Sequence, residues 1–251
     1  MINTANEMIK SLKSGQFSGV MLWEGSSLYD GAPIMCIATG IDNASDNDKT
    51  GDMVQTWIIR ADIEPHIAVK NGDDVSICGP CKYRSGEGCY VTVHHAPLSV
   101  YRAFHRGRYA RPGIDFCQSI IPELFRARMV RIGSYGDPAA MPNIWDAVLR
   151  YAAGFTGYTH GWRVRPDLML YCMASVDASD YHEAKSIGWR TFRVRQSVAD
   201  RMPNEANCGA SAEVGKVTNC AACFMCSGLW HKSNRDIAIN AHGIKAGRIV
   251  A

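Results

Sequence analysis

Ten cysteines carry most of the chemistry this chain could do, and seven of them fall in two short segments. The first segment reads Cys78-Gly-Pro-Cys81 and then Cys89-Tyr90. Three thiolates on one loop can hold three irons of a four-iron cluster and leave the fourth iron open to an outside ligand. They can equally make a zinc site, with His94 or His95 as the fourth donor. Gly79, Gly86 and Gly88 allow the tight folding that either centre needs. The second segment is Cys208 followed by Cys220-Ala-Ala-Cys223-Phe-Met-Cys226. Four thiolates in this pattern close a coordination sphere, as in structural zinc or a fully ligated four-iron cluster. The apolar filling between them suits a cluster, and His231 and His242 are spare donors. Cys36, Cys117 and Cys172 stand apart and are expected to fill the core.

Clustered cysteines of this kind fit a reducing compartment better than a disulfide scaffold, which would be shorter and carry a secretory leader. The opening residues, MINTANEMIKSLKSG, contain no apolar h-region. The expected location is therefore cytoplasmic. With 47% apolar residues and a net charge of only +3, a disordered chain is excluded. No apolar run reaches the roughly 18 residues a membrane helix needs, so no membrane partner is expected.

The elements that must position these cysteines follow from periodicity. Residues 1–14 read as an amphipathic helix, and Gly19–Trp23, Pro33–Thr39 and Met53–Ile59 as strands. Residues 1–74 thus form a mostly β N-terminal elaboration. From residue 75 strands and helices alternate. Val75–Ile77 reads as a short strand leading into the first cysteine segment, and Pro97–Arg106 as a helix. Further strands are expected at Met129–Ile132, Phe155–Thr159, Leu168–Ser175, Trp189–Val194 and Ile237–Asn240. Helices are expected at Asn143–Ala153 and Ser179–Ile187, the latter closed by Gly188. Such alternation implies parallel βαβ units. The expected fold class is α/β: a partial or small (β/α) barrel over residues 75–205, with a Cys-rich, metal-binding tail over 206–251. In such folds chemistry sits at the C-terminal strand ends. Asp137, Thr159, His160, Ser175, Asp177 and Arg195 fall there, although Asp177 and Ser179 are also good helix caps.

Charge is unevenly spread. Residues 1–77 hold 5 basic and 11 acidic side chains, and residues 78–132 hold 9 and 3. The block from Arg102 to Arg131 interleaves arginines with Tyr101, Phe104, His105 and Tyr109. It could contact nucleic acid through phosphates and stacked bases, or pair with the acidic N-terminal part.

Three cysteines on a loop, then Arg131-Ile-Gly-Ser-Tyr-Gly-Asp-Pro-Ala-Ala-Met-Pro at a later strand, together resemble the radical S-adenosylmethionine (SAM) superfamily, with phage-encoded members the most similar. Tyr158-Thr159-His160-Gly161 resembles its third-strand region. Met173 to Asp177 and Gly188 to Val194 look like its fourth and fifth strands, and the tail is similar to its auxiliary-cluster extensions. The resemblance covers roughly residues 75–205. It implies that Cys78, Cys81 and Cys89 ligate a [4Fe-4S] cluster, and that Gly133, Gly136 and Asp137 face the methionine part of SAM. It also implies that Ser175 and Asp177 contact the SAM carboxylate or ribose, with Asp137, His160 and Asp177 as catalytic candidates. The implied substrate is a small molecule, a nucleotide or nucleic acid, and a phage-encoded protein would work in the host cytoplasm. The family's usual spacing is C-x3-C-x2-C and its motif usually ends in glutamate; here the spacing is C-x2-C-x7-C and the acid is Asp137. Two other readings use the same residues. One is a zinc-stapled nucleic-acid-binding protein without catalysis. The other is a zinc-dependent base-exchange enzyme resembling the guanine transglycosylases, with Asp137 as nucleophile.

Overall fold

A computed structural model describes residues 4–43, 47–111, 114–242 and 246–248, the side chains of 114–118 excepted. The chain opens with α1 (Ala5–Lys13), which starts where Thr4 and Glu7 cap each other's backbone N–H groups. Next come β1 (Gly19–Ser26), β2 (Pro33–Thr39) and β3 (Met53–Arg60). The apolar run of β2 is buried on both faces. Three helices follow: α2 (Pro65–Asn71), α3 (Val75–Cys78) and α4 (Ala96–His105). After β4 (Tyr109–Ala110) and α5 (Ile114–Leu124) come β5 (Met129–Tyr135), α6 (Trp145–Val148) and β6 (Gly154–Thr159). The remainder is β7 (Met173–Val176), α7 (Tyr181–Ser186), β8 (Thr191–Arg195), β9 (Glu205–Asn207), α8 (Cys220–Cys223) and β10 (Asp236–Asn240).

The strands form one ten-stranded sheet in the order β4-β1-β2-β3-β5-β6-β7-β8-β10-β9. β1, β2 and β3 pair antiparallel. Every ladder from β3 across to β9 is parallel. This is the mixed α/β class anticipated from the strand–helix alternation. The sheet runs across residue 74, because β3 pairs in parallel with β5.

Three local expectations are corrected. Val75–Ile77 belongs to the helix α3, not to a strand; three apolar-leaning residues are too few to reveal a period, and the helix follows a turn at Gly72 with φ of 84°. The first cysteine loop is thus reached from β3 through the helices α2 and α3 and not directly from a strand. The helix read at Asn143–Ala153 is cut to α6, since Ala152 and Ala153 already turn toward β6. The strand read at Leu168–Ser175 begins only at Met173, after a 3-10 turn over Pro166–Leu168.

Along the central strands side chains alternate between two faces. On β8, Phe192 and Val194 face one way, and Thr191, Arg193 and Arg195 are buried the other way. Arg193 there donates to Glu205 on β9 at 2.7 Å, both side chains being fully buried. Among the described residues no helix is long and apolar enough to cross a membrane.

Candidate functional site

The first cysteine loop leaves the end of α3 and is stitched down at several points. Gly79 takes a φ of 52° against the ring of Tyr29, where a Cβ would come within 2.2 Å of Tyr29 Cζ. The buried carboxylate of Asp74 accepts from Ser85 N–H at 2.6 Å, Ser85 O–H at 2.9 Å and Arg84 at 3.2 Å. Cys89 N–H donates to the Tyr83 carbonyl. Lys82 reaches the C-terminal end of β7 and donates to Asp177 at 2.6 Å. Asp177 also accepts from Ser179 and from Asp180 N–H, which caps the approach to α7.

The turn after β5 closes beside this loop. Gly133 and Gly136 have φ of 65° and 81°, and a Cβ at Gly136 would lie 2.2 Å from the Ile58 carbonyl, so the turn sits directly on β3. Asp137 N–H donates to the Ile77 carbonyl at 2.6 Å, one residue before Cys78. The Asp137 carboxylate is buried and fully occupied: Oδ1 accepts from Ala139 N–H and Thr159 O–H, and Oδ2 from His160 N–H. His160 Nδ1 lies 3.4 Å from the same Oδ2, and the imidazole hydrogen-bonds the Cys81 thiol. Burial disfavours the imidazolium, but Cys81 and Asp137 together outweigh it and hold the His160 pKa up to about 10. Burial likewise pushes the Cys81 thiol up, yet His160 and a backbone hydrogen bond bring it below its ordinary value. Cys78 moves the opposite way, raised first by burial and then by Cys81 and Asp74.

The second segment is held by the sheet and by the loop before β3. Cys208 follows β9 and its N–H donates to the Ala238 carbonyl of β10. Asn219 caps α8 by accepting from Ala222 N–H. Cys220 and Ala221 N–H groups donate to the carbonyls of Lys49 and Thr50. The Cys226 carbonyl accepts from Gly157 N–H on β6. Burial raises the pKa of Cys208, Cys220 and Cys226.

Both segments line one cavity of about 200 Å³. Cys78, Cys81 and Cys89 form part of its wall, and Cys208, Cys220, Cys223 and Cys226 another part. Cys78, Cys81, Cys208, Cys220, Cys223 and Cys226 stand outside any disulfide. Gly133, Gly136, Asp137, His160 and Ser175 also line it; Asp177 does not, and acts through Lys82 on the first loop. His94 and His95 lie outside it, His94 against His66. His231 packs on Phe224, and His242 reaches the cavity wall. Among the described residues no three His, Cys, Asp or Glu side chains converge tightly enough to hold a single metal ion. The thiolates of a four-iron cluster, by contrast with those of a single ion, each take a separate iron and surround a volume. Cys36 and Cys172 are fully buried in the core, as expected, and the Cys117 side chain lies outside the described residues.

The basic block is dispersed. Arg102 pairs with Glu64, Arg111 with Glu24 and Arg128 with Asp52, so three acidic side chains of the N-terminal part each take one arginine. Arg131 instead faces the cavity, where it donates to the Tyr90 hydroxyl at 2.8 Å. Sequence reasoning grouped Arg131 with the surface arginines and missed Tyr90, Lys49 and Tyr158 as cavity residues. The one available signal was a charge in the middle of the apolar run Met129–Ile132. Comparisons with protein-family models, with curated proteins and with solved structures each return no match.

Proposed function

We propose that this chain is a radical-SAM-like iron–sulfur enzyme, with a first [4Fe-4S] cluster on Cys78, Cys81 and Cys89 and a second on Cys208, Cys220, Cys223 and Cys226. The observation that carries this reading is that two cysteine segments more than a hundred residues apart line a single cavity together with the glycine turn after β5. The donor set fits: three cysteines on one loop would leave a coordination position open, and four cysteines would fill a centre. The parallel ladders from β3 to β10 support the reading in a coarser way, with the first loop and the Gly133–Asp137 turn beside the C-terminal ends of the adjacent strands β3 and β5.

When bound, the cluster and SAM supply one-electron cleavage of SAM to a 5′-deoxyadenosyl radical, which takes a hydrogen atom from the substrate. The protein's own part is positional. The Asp137 carboxylate fixes the backbone ahead of His160, and His160 holds Cys81 in place. Its other contacts pin the turn, so the backbone of Gly133 to Gly136 rather than the Asp137 side chain is available to SAM. The Lys82–Asp177 pair ties the first loop to β7. Apolar side chains such as Phe192, Val194 and Ile237 keep the cavity dry and limit side reactions of a radical.

The deciding experiment is anaerobic purification with iron, sulfide and zinc assays, a visible spectrum, and SAM cleavage under a strong reductant. About eight irons per chain, a broad visible band and release of 5′-deoxyadenosine are expected. Stoichiometric zinc without iron after reconstitution overturns the reading and leaves the zinc-stapled alternatives, with nucleic-acid binding as the next assay.

A further inference from the structure

Among the described residues, neither Arg131 nor Lys49 has a carboxylate partner. Arg131 projects from β5 into the cavity, and its one hydrogen bond among the described residues goes to the Tyr90 hydroxyl. Lys49, in the loop before β3, lines the same cavity, and among the described residues its ammonium meets His242 Nε2, at 3.2 Å. Tyr90 and His242 stack on each other at 5.7 Å, so the four side chains form one continuous patch. Several other buried or half-buried cations of the described residues are partnered differently. Arg60 has Asp62, Arg165 has Asp167, Lys185 has Asp236, and Arg193 has Glu205 and Asp200. Arg190, lacking a carboxylate, is met by the carbonyls of Met225, Gly228 and Arg235. A half-buried guanidinium with idle N–H groups beside apolar walls is costly unless an anion completes it. Arginine offers a fork suited to a carboxylate or phosphate, and lysine adds a point charge. Next to the pair the wall carries two rings, Tyr158 and Phe192, whose centroids are 4.1 Å apart.

We propose that Arg131 and Lys49 form the anion-recognising end of a substrate site in this cavity, taking the carboxylate or phosphate of a small molecule whose ring-bearing part lies against Tyr158 and Phe192. This deepens the proposed function by naming the substrate class, and it rests on that reading for the reaction but not for the binding. The rival account is that the two cations neutralise the thiolates of Cys208 and Cys220, which feel their charge.

The test is anaerobic calorimetric titration of the full chain in saturating SAM, using two matched pairs of probes: adenosine 5′-monophosphate against adenosine, and benzoate against benzamide. One anionic probe is expected to bind at least about tenfold more tightly than its neutral partner. The arm that discriminates tells phosphate from carboxylate. Arg131→Gln should abolish the discrimination while iron and sulfide stay at wild-type levels. Lys49→Gln, in a loop, should weaken it and serves if the arginine variant does not fold. Equal binding of both members of each pair, or no binding at all, overturns the proposal. So does discrimination that appears only when SAM is omitted, since the cations would then hold the cofactor's own carboxylate. Loss of iron in Arg131→Gln overturns it in favour of the rival account. Wild-type protein without iron would sink the enzyme reading and still leave the anion titration readable.

Discussion

The two cysteine segments reach the same cavity by opposite means. Residues 78–89 form a loop pinned by side chains: Asp74 on Ser85 and Arg84, Lys82 on Asp177, Tyr29 over Gly79, His160 on Cys81. Residues 208–226 are pinned by backbone: Cys208 to Ala238, Cys220 to Lys49, Cys226 to Gly157. On the proposed reading, the loop held by side chains, with three cysteines, would leave one coordination position available for a ligand. A segment held by backbone pairing is rigid and, with four thiols, complete. Under the proposed function, the contrast would separate an open, reactive centre from a closed one.

The largest expected effect separates the two directly. Cys81→Ser should lower iron from about eight to about four per chain, and the reduced protein's paramagnetic signal should no longer respond to added SAM. Cys220→Ser should lower iron equally, but the signal that remains should still shift with SAM. If either substitution strips all the iron, the centres are not independent and the comparison fails. Next in size is Glu205→Ala, three residues before Cys208. It leaves the buried Arg193 without its main partner, and a loss of about 3–5 kcal/mol is expected in denaturant unfolding. The second centre should lose iron before the first.

Gly79→Ala attacks the side-chain-pinned loop instead. The methyl would collide with Tyr29 at a backbone angle that L-residues rarely adopt, for about 1–3 kcal/mol. Thermal unfolding should drop by about 2–4 °C per kcal/mol, and the SAM-responsive signal should weaken while the second centre stays intact. The smallest effect concerns acid. Burial pushes the Asp177 carboxyl up, but Lys82, Ser179 and Asp180 N–H outweigh it and hold it down to about 2. A depressed carboxyl stabilises fully above its ordinary value of 3.8, and that stability disappears as pH falls through about 2. Asp177→Asn should therefore flatten acid unfolding in that window, by at most about 2 kcal/mol. An unchanged acid profile would mean that Lys82 does not anchor the loop.

Much of the sheet was legible because its strands are apolar and well bounded: Pro33–Thr39 was read to the residue, and β5, β6 and β10 within a few. What failed was short or interrupted. α5 carries Pro122 inside it and reads as a break, while β9 is three residues of Glu-Ala-Asn with no alternation to detect. The cysteine segments were visible as separate motifs. Their convergence was not, because it depends on which strands become neighbours, and only the ladder order decides that. The role of Asp137 was hidden for the same reason. Its partners Thr159 and His160 lie at and just past the end of the next strand and are adjacent only once β5 and β6 pair.

The order β8-β10-β9 has a consequence for how the protein is made. The strand at Asp236–Asn240 slots between two strands that precede it in the chain, so Cys208 has no fixed place until residues near 238 arrive. Translation delivers the loop at residues 78–89 and its supporting strands first, and the wall bearing Cys220, Cys223 and Cys226 late. During synthesis the cavity therefore has an unfinished side, which the last strand shuts.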